Sequence, residues 1–474
     1  MPEKHNFRAI VVGAGVAGLT AAHCLELAGI DYVVLEKRDW VNSPAGNSTT
    51  LWPNSARILH QLGLLDRIAN TCNPGRDLWI RGPDGRNIAH TDFLEQVRLN
   101  HGWYIMFAER PFVLETLYKT IPNYEQRVRL KAECKAINHT ADGVEVVLAD
   151  GTVEKGDIVI GADGGRGMAR NAMWAHANRV KPGTITVKEK TSMRRNFKIV
   201  AGITDARPEM GDRDMLVCSD DNRSSFAITQ PDQVFFAMFF KLKEPYAWPI
   251  HKAYTEADAD AVAKTIADFP VSDNTVFGEL WANRSRGAVL DMEEGVLDHW
   301  VYDRIALSGD AVHSMTPNIG MGANMAIEDI VVLCNHLHAL VTKHKGKKVP
   351  FADVKKALIA YEAERRPRTY QVMEFSHGIT ELQAWTSYKL KQFTKWVLPY
   401  TSKTYFPNAI AEVIRGAPRL HYVNVPGYPK GKVEWDDEKR VSSSSFTTPA
   451  IISAIAAVGI GAAVYARSAN LLGR

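Results

Sequence analysis

The residues of this 474-residue chain whose types and spacing could do chemistry are three glycines (Gly13, Gly15, Gly18), three acids (Glu36, Asp163, Asp310) and three arginines (Arg110, Arg194, Arg195). The glycines fit G-x-G-x-x-G: the first permits a tight turn, the second lets the chain approach a pyrophosphate, and the third lets helix and strand pack closely. Glu36 follows where a carboxylate can accept both hydroxyls of a ribose. Together they imply a dinucleotide site with its phosphates at a helix N-terminus. The acid, followed by Lys37 and Arg38, leaves FAD and NAD equally open.

These groups need elements to hold them. FRAIVVGAGVAGLTAAHCLELAGIDYVVLEKRD reads as an apolar strand, a glycine turn, an apolar-faced helix and a second strand ending in Glu36, a βαβ unit. VEVVLADGTVEKGDIVIGADGGRGMAR reads as two strands about an Asp-Gly turn, then an apolar run that ends at Asp163. YDRIALSGDAVHSMTPNIGMGANMAIED places Asp310 at a third strand end, before a bare backbone that turns helical; His313 could orient that loop or be a satisfied structural histidine. Carboxyl ends of strands are where open α/β sheets collect ligand-contacting groups. ERPFVLETLYKTI puts Arg110 at a helix start, as a fixed cation suited to bidentate phosphate contact, although a plain surface arginine would look the same.

The three ordered motifs, with Pro317, Gly320, Gly322 and Asn324 in the last, resemble the fingerprints of the group A, aromatic-hydroxylase-type FAD-dependent monooxygenases. AHCLELAGIDYVVLEKR, LWPNSARILHQLGLLD and MEEGVLDHW are similar to the fungal FAD-dependent monooxygenases and epoxidases of meroterpenoid and indole-diterpene biosynthesis, over roughly residues 7 to 420. The resemblance implies an α/β (α+β) fold: a Rossmann-like FAD-binding domain, an inserted β-sheet substrate domain and C-terminal helices, to which the composition beyond residue 440 adds a C-terminal hydrophobic helix. It implies that Glu36 binds the adenosine ribose, Arg110 the pyrophosphate side and Asp310 the ribityl chain. Gly322 and Ala323 would offer backbone near the flavin ring, Thr50 would stand where the family commonly has a glycine facing FAD, and Asp163 would serve the cofactors with its loop. NADPH would bind transiently, since no second G-x-G-x-x-G unit appears, and a flavin C4a-hydroperoxide formed with O2 would oxygenate the substrate. Two departures stand out. Gly165, Arg166 and Gly167 replace the usual Val-His-Ser, which bears on NADPH, and Met321 replaces a glutamine, which would alter the flavin-side wall.

Strand-like runs over residues 186 to 245 suit a sheet with one apolar face, on which Phe235, Phe236, Phe239, Phe240 and Trp248 would line a pocket or simply pack the core. Arg194 or Arg195, just before its first strand, is the candidate catalytic polar group, the alternative being a solvated basic loop. Five scattered cysteines disfavour disulfides and zinc, and a net charge of +4 without a basic-aromatic stripe disfavours nucleic acid. His336, His338 and His344 lack a ligand pattern, so no metal is expected. From Val441 to Ala466 there is no charge, and Ala450 to Ala466 would span about 26 Å as a helix. This reads as a single-pass C-terminal membrane anchor with the body facing the cytosol, or as a docked core helix.

The expected domains are 1–180 (FAD-binding, with part of the substrate wall near 76–100), 181–290 (substrate sheet), 291–345 (closing FAD part), 346–425 (helices), 426–446 (linker) and 447–468 (anchor). The expected function is epoxidation or hydroxylation of a terpenoid or prenylated aromatic substrate. The alternatives are a flavin-dependent isoprenoid reductase or dehydrogenase, and a membrane-tethered flavoprotein without turnover.

Overall fold

The computed structural model describes residues 6–41, 48–401 and 403–439. The stretch 447–468, expected to anchor the chain, lies outside the described residues. Among the described residues one helix, Gly322–His344, is long and apolar enough to cross a membrane, but most of it is buried inside the body.

Buried apolar runs such as AIVV and IVIG become the centre of a six-stranded sheet. Its order is Val301–Tyr302, Ile305–Leu307, Ile158–Gly161, Arg8–Val12, Asp31–Leu35, Val128–Arg129. Every neighbouring pair is parallel except the first, which is antiparallel. Register does the functional work: Val12 lies beside both Leu35 and Gly161, and Gly161 beside Leu307. The chain therefore leaves all four strands on one edge, through Gly13, Glu36, Ala162 and Ser308. The Val16–Leu27 helix and the Gly322–His344 helix pack against each other, and the latter against Phe351–Gln383.

An eight-stranded sheet forms the second body. Its long strands Arg194–Asp205, Gln233–Ala247 and Arg284–Val296 pair antiparallel, and Leu78–Arg81 and Asn87–Thr91 extend its far edge. The strand Arg284–Val296 runs past the expected boundary at 290, and His313–Ser314 pairs with its end, which ties the sheet to the third motif.

The expected linker is a correction. Up to residue 439 it is docked: Trp435 is buried, the Arg57 guanidinium lies 4.5 Å over its ring, and Arg57 pairs with Asp437 and Glu438. Lys432 and Val433 donate backbone N–H bonds to Leu99 and Asn100, and a Cβ at Gly431 would stand 2.1 Å from the Asn100 carbonyl oxygen. Proline and glycine here shape a close-fitting strap, which reads like a flexible link in sequence.

Candidate active site

A cavity of about 1210 Å³ runs from the glycine turn at Gly13 to the apolar face of the large sheet. Its polar half is built on the strand ends. Gly13 has φ +103° and a Cβ there would stand 2.5 Å from the Ala162 carbonyl oxygen; at Gly18 a Cβ would stand 1.9 Å from the Gly13 carbonyl oxygen. At Gly15, the N-cap of the first helix, a Cβ would meet nothing within 4 Å, and the same holds at Gly322, where the Gly322–His344 helix begins. Two glycines thus keep the backbone close-packed, and two leave helix N-termini bare to the cavity, where N–H groups and the helix dipole favour anionic groups.

Glu36 is buried, and each carboxylate oxygen already accepts one backbone N–H: Oε2 from Ala14 at 2.9 Å, Oε1 from Arg38 at 3.0 Å. Fixed in this way it keeps lone pairs toward the cavity it borders, which fits a ribose diol. Arg110, at the first turn of the Arg110–Lys119 helix, and Asp310, exposed on the turn Gly309–Ala311, border the same cavity. Thr50 does too, and Gly320 packs on it: at φ +65° a Cβ would lie 2.4 Å from the Thr50 Cβ. Asn324 joins the two segments, accepting from Trp52 N–H at 2.9 Å and donating to the Thr50 carbonyl at 2.9 Å and the Gly320 carbonyl at 2.8 Å.

Beneath this turn lies a buried ionic network. Asp329 Oδ2 accepts from Gly309 N–H at 2.9 Å and is bonded to His313 Nε2 at 2.7 Å, while Oδ1 accepts from Arg365 Nε at 2.9 Å. Glu328 takes bonds from Arg365, Arg368 and Asn54 at 2.7–2.8 Å. Burial alone would raise both acids. For Glu328 the cations of Arg368 and Arg365 win and hold the carboxyl at about 2; for Asp329 His313 and Arg365 hold it below its usual range. The network fixes Gly309, and hence the direction in which Asp310 leaves the turn.

At the junction of the two halves, Arg195 is buried, donates Nη2 to Glu293 Oε1 at 2.8 Å, and has no partner for Nη1 among the described residues. It borders the cavity, whereas Arg194, next along the strand, is exposed and outside it, because successive strand residues face opposite ways. The expectation that either arginine could act is thus narrowed to Arg195. Asp163 borders the cavity but turns inward: Oδ2 accepts from Ala169 N–H at 2.9 Å, capping the Met168–Val180 helix, and a Cβ at Gly167 would collide with Oδ1 at 2.1 Å. Burial raises its carboxyl above the ordinary value, against the bonds from Ala169 and Met168. Of the two glycines flanking Arg166, Gly167 therefore makes room for that carboxylate, whereas a Cβ at Gly165 would stand 2.8 Å from Glu293 Oε2.

The apolar half is one face of the large sheet. Register aligns Ile199 with Phe239, Ala201 with Ala237 and Ile203 with Phe235. Ile199, Ala201, Phe235, Ala237 and Phe239 border the cavity, with Leu290 and Met292 beside them. The alternate residues Val200, Phe236 and Met238 join a separate core with Phe269, Phe277 and Trp281. Phe236 reaches the cavity wall as well, but Phe240 and Trp248 do not. Met321 is a second correction: it is buried among Trp52, Met325 and neighbours rather than at the cavity wall, so the replaced glutamine alters core packing.

Ten of the twelve residues singled out from sequence border one cavity; Gly18 serves packing and Arg194 faces solvent. Missed were Glu293, Glu328, Asp329, Arg365 and Arg368, charges on a strand and on helices that resemble solvated faces. Among the described residues, His139, His176 and Asp303 bring donor atoms within 4.8 Å of one another. Their imidazoles stack at 3.5 Å and 7°, so the in-plane lone pairs run side by side instead of converging on an ion.

The FAD binding domain family model matches residues 6–376. The chain is 36% identical over 438 residues to the FAD-dependent monooxygenase DEP2 of Alternaria brassicicola, covering 92% of this chain and 82% of that one. It is 32% identical over 443 residues to the FAD-dependent monooxygenase atmM of Aspergillus flavus, covering 93% and 92%. The fold is shared with Klebsiella pneumoniae HpxO complexed with FAD and uric acid, at TM-score 0.72 and 20% identity over 88% of this chain and 98% of that one. Carboxyl-end glycine turns, a ribose-competent buried acid and bare helix N-termini on one cavity fit that cofactor. The chain belongs to the FAD-dependent monooxygenases, enzymes of the FAD binding domain family.

Proposed function

We propose that this enzyme uses NADPH and O2 to place one oxygen atom on an apolar terpenoid or prenylated aromatic intermediate of a secondary-metabolite pathway, by epoxidising an alkene or by hydroxylation. The observation that carries it is the continuity of a single large cavity from the Gly13–Gly15 turn to the Ile199–Phe239 wall. When bound, the flavin supplies the oxygen activation. In this reading residues 1–180 and 291–345 hold the flavin, 181–290 face the substrate, and the 447–468 stretch tethers the body to a membrane.

Each residue has a task suited to its geometry. Glu36 receives the adenosine ribose, Arg110 neutralises pyrophosphate, and Asp310 takes hydroxyls of the ribityl chain. The N–H groups of Gly322 and Ala323, at a helix N-terminus, stabilise negative charge near the ring, with Thr50 as backing. Asp163 would act through its loop by fixing the start of the Met168–Val180 helix where it borders the cavity. Arg195 is held rigid by Glu293 and offers Nη1 to an oxygen that gains charge during transfer. The apolar sheet face excludes water.

The test is to purify the protein, record its flavin absorption, and supply NADPH, O2 and prenylated candidate substrates. A product heavier by one oxygen, formed with NADPH and O2 consumption, is expected. Hydrogenated product formed without oxygen would replace this reading with a reductase, and no turnover with any prenylated substrate would remove it.

A further inference from the structure

The segment that closes the apolar end of the cavity has a second face. Leu382, Thr394, Leu398 and Phe406 border the cavity from inside. On the outside, the helix Tyr388–Trp396 and the turn after it expose Tyr388 (77%), Trp396 (68%), Val397 (48%) and Tyr400 (85%). Large apolar side chains this exposed on one short segment call for a cover. The charges name its kind: between Leu382 and Ala411 there are four lysines, Lys389, Lys391, Lys395 and Lys403, and no carboxylate. Lys391 pairs with Asp221 at 2.7 Å, and Lys391 and Lys395 lie over the Trp385 ring at 5.4 and 5.3 Å. Lys389 and Lys403 are exposed.

We propose that this face docks the enzyme on an anionic lipid surface, with Tyr388, Trp396 and Tyr400 at headgroup depth, lysines against lipid phosphates, and the cavity rim facing the bilayer. Tyrosine and tryptophan favour the membrane interface because each has an apolar body and a polar tip, and lysines beside them gain from anionic headgroups. A protein partner would be expected to answer some of the lysines with fixed contacts, whereas interleaved aromatics and cations without acids suit a fluid anionic surface. The rim position gives the docking a purpose: an apolar substrate dissolved in the bilayer would reach the sheet face without crossing water. That purpose rests on the proposed substrate class; the lipid contact does not.

The full-length chain tests it without turnover. All five cysteines are buried, so Trp396→Cys provides one accessible thiol among the described residues for an environment-sensitive fluorophore, and Val187→Cys, at an equally exposed site that does not border the cavity, is the control. Vesicles of brominated phosphatidylcholine with phosphatidylserine should quench the label at 396 several-fold and spare that at 187. The double variant Lys389→Gln, Lys395→Gln should lose quenching on these vesicles and change little on neutral ones. A label at 396 that stays bright while the protein sediments with vesicles would overturn the proposal, because the C-terminal stretch would then be the sole attachment. A label that changes with protein concentration before lipid is added would overturn it in favour of a second copy of this chain.

Discussion

The two halves of the cavity are held together by different physics. The cofactor half consists of backbone at strand ends, stiffened by glycines that tolerate no Cβ and by carboxylates committed to N–H groups and guanidinium ions. The substrate half consists of alternating side chains on a sheet, each replaceable without breaking a ladder bond. The difference teaches why one cofactor site can serve many substrates: changes on the sheet face cost packing, whereas changes at the close-packed glycines Gly13 and Gly18 or in the ionic network cost the fold.

The largest expected effect lies in the network under the turn. Arg365→Met leaves Glu328 and Asp329 buried with fewer cations, and breaking a buried pair in this way costs about 3–5 kcal/mol. Denaturant unfolding should show that loss together with loss of flavin. Retention of both would mean that Arg368 and His313 suffice, and the contrast between the halves would weaken. The same network sets an acid limit. Glu328 is held at about 2 in the fold against an ordinary 4.5, so its stabilisation is complete above pH 4.5 and disappears as pH falls toward 2. Arg365→Met should lessen the pH dependence of stability across that window without abolishing it, because Arg368 still faces Glu328, measured by thermal unfolding at several pH values.

Next in size is a pair of glycines three residues apart. Gly18→Ala puts a methyl group 1.9 Å from a carbonyl oxygen, and overpacking of this kind costs about 1–3 kcal/mol. Gly15→Ala meets no protein atom within 4 Å, so it should leave melting of the flavin-free protein unchanged while lowering flavin affinity by tenfold or more, about 1.4 kcal/mol. Equal melting losses in both variants would erase the distinction between packing glycines and ligand-facing glycines.

What could be read from sequence follows the same division. Gly13, Gly15, Gly18 and Glu36 lie on one contiguous strand-turn-helix-strand, so local pattern and spacing carry their meaning. The Arg365–Glu328 contact spans 37 residues and the Arg195–Glu293 contact 98, and nothing local distinguishes those charges from a solvated face. Arg194 and Arg195 are alike in sequence, and only their places on the strand put them on opposite sides. Met321 and the 426–439 strap misled for a related reason: a motif position and a proline-glycine composition describe backbone habit, while neighbours decide whether a side chain is wall, core or clasp.

The smallest stability effect and the sharpest functional one should come from Leu290. It sits opposite Ile199 on the neighbouring strand, borders the cavity, and is 46% exposed, so the protein itself gains little from its burial. Leu290→Ala should change unfolding by less than about 0.5 kcal/mol, as at other exposed positions. If a bound apolar substrate covers the exposed half of that side chain, removing it forfeits about half of the roughly 1.5–3 kcal/mol that full burial of a leucine is worth, which reads out as a KM roughly three- to tenfold higher with flavin absorbance unchanged. An unchanged KM would move the substrate off this part of the sheet, toward Phe375, Ile379 and the C-terminal rim. A lowered flavin content would show that the two halves are coupled through the strand Arg284–Val296, which carries both Leu290 and Glu293.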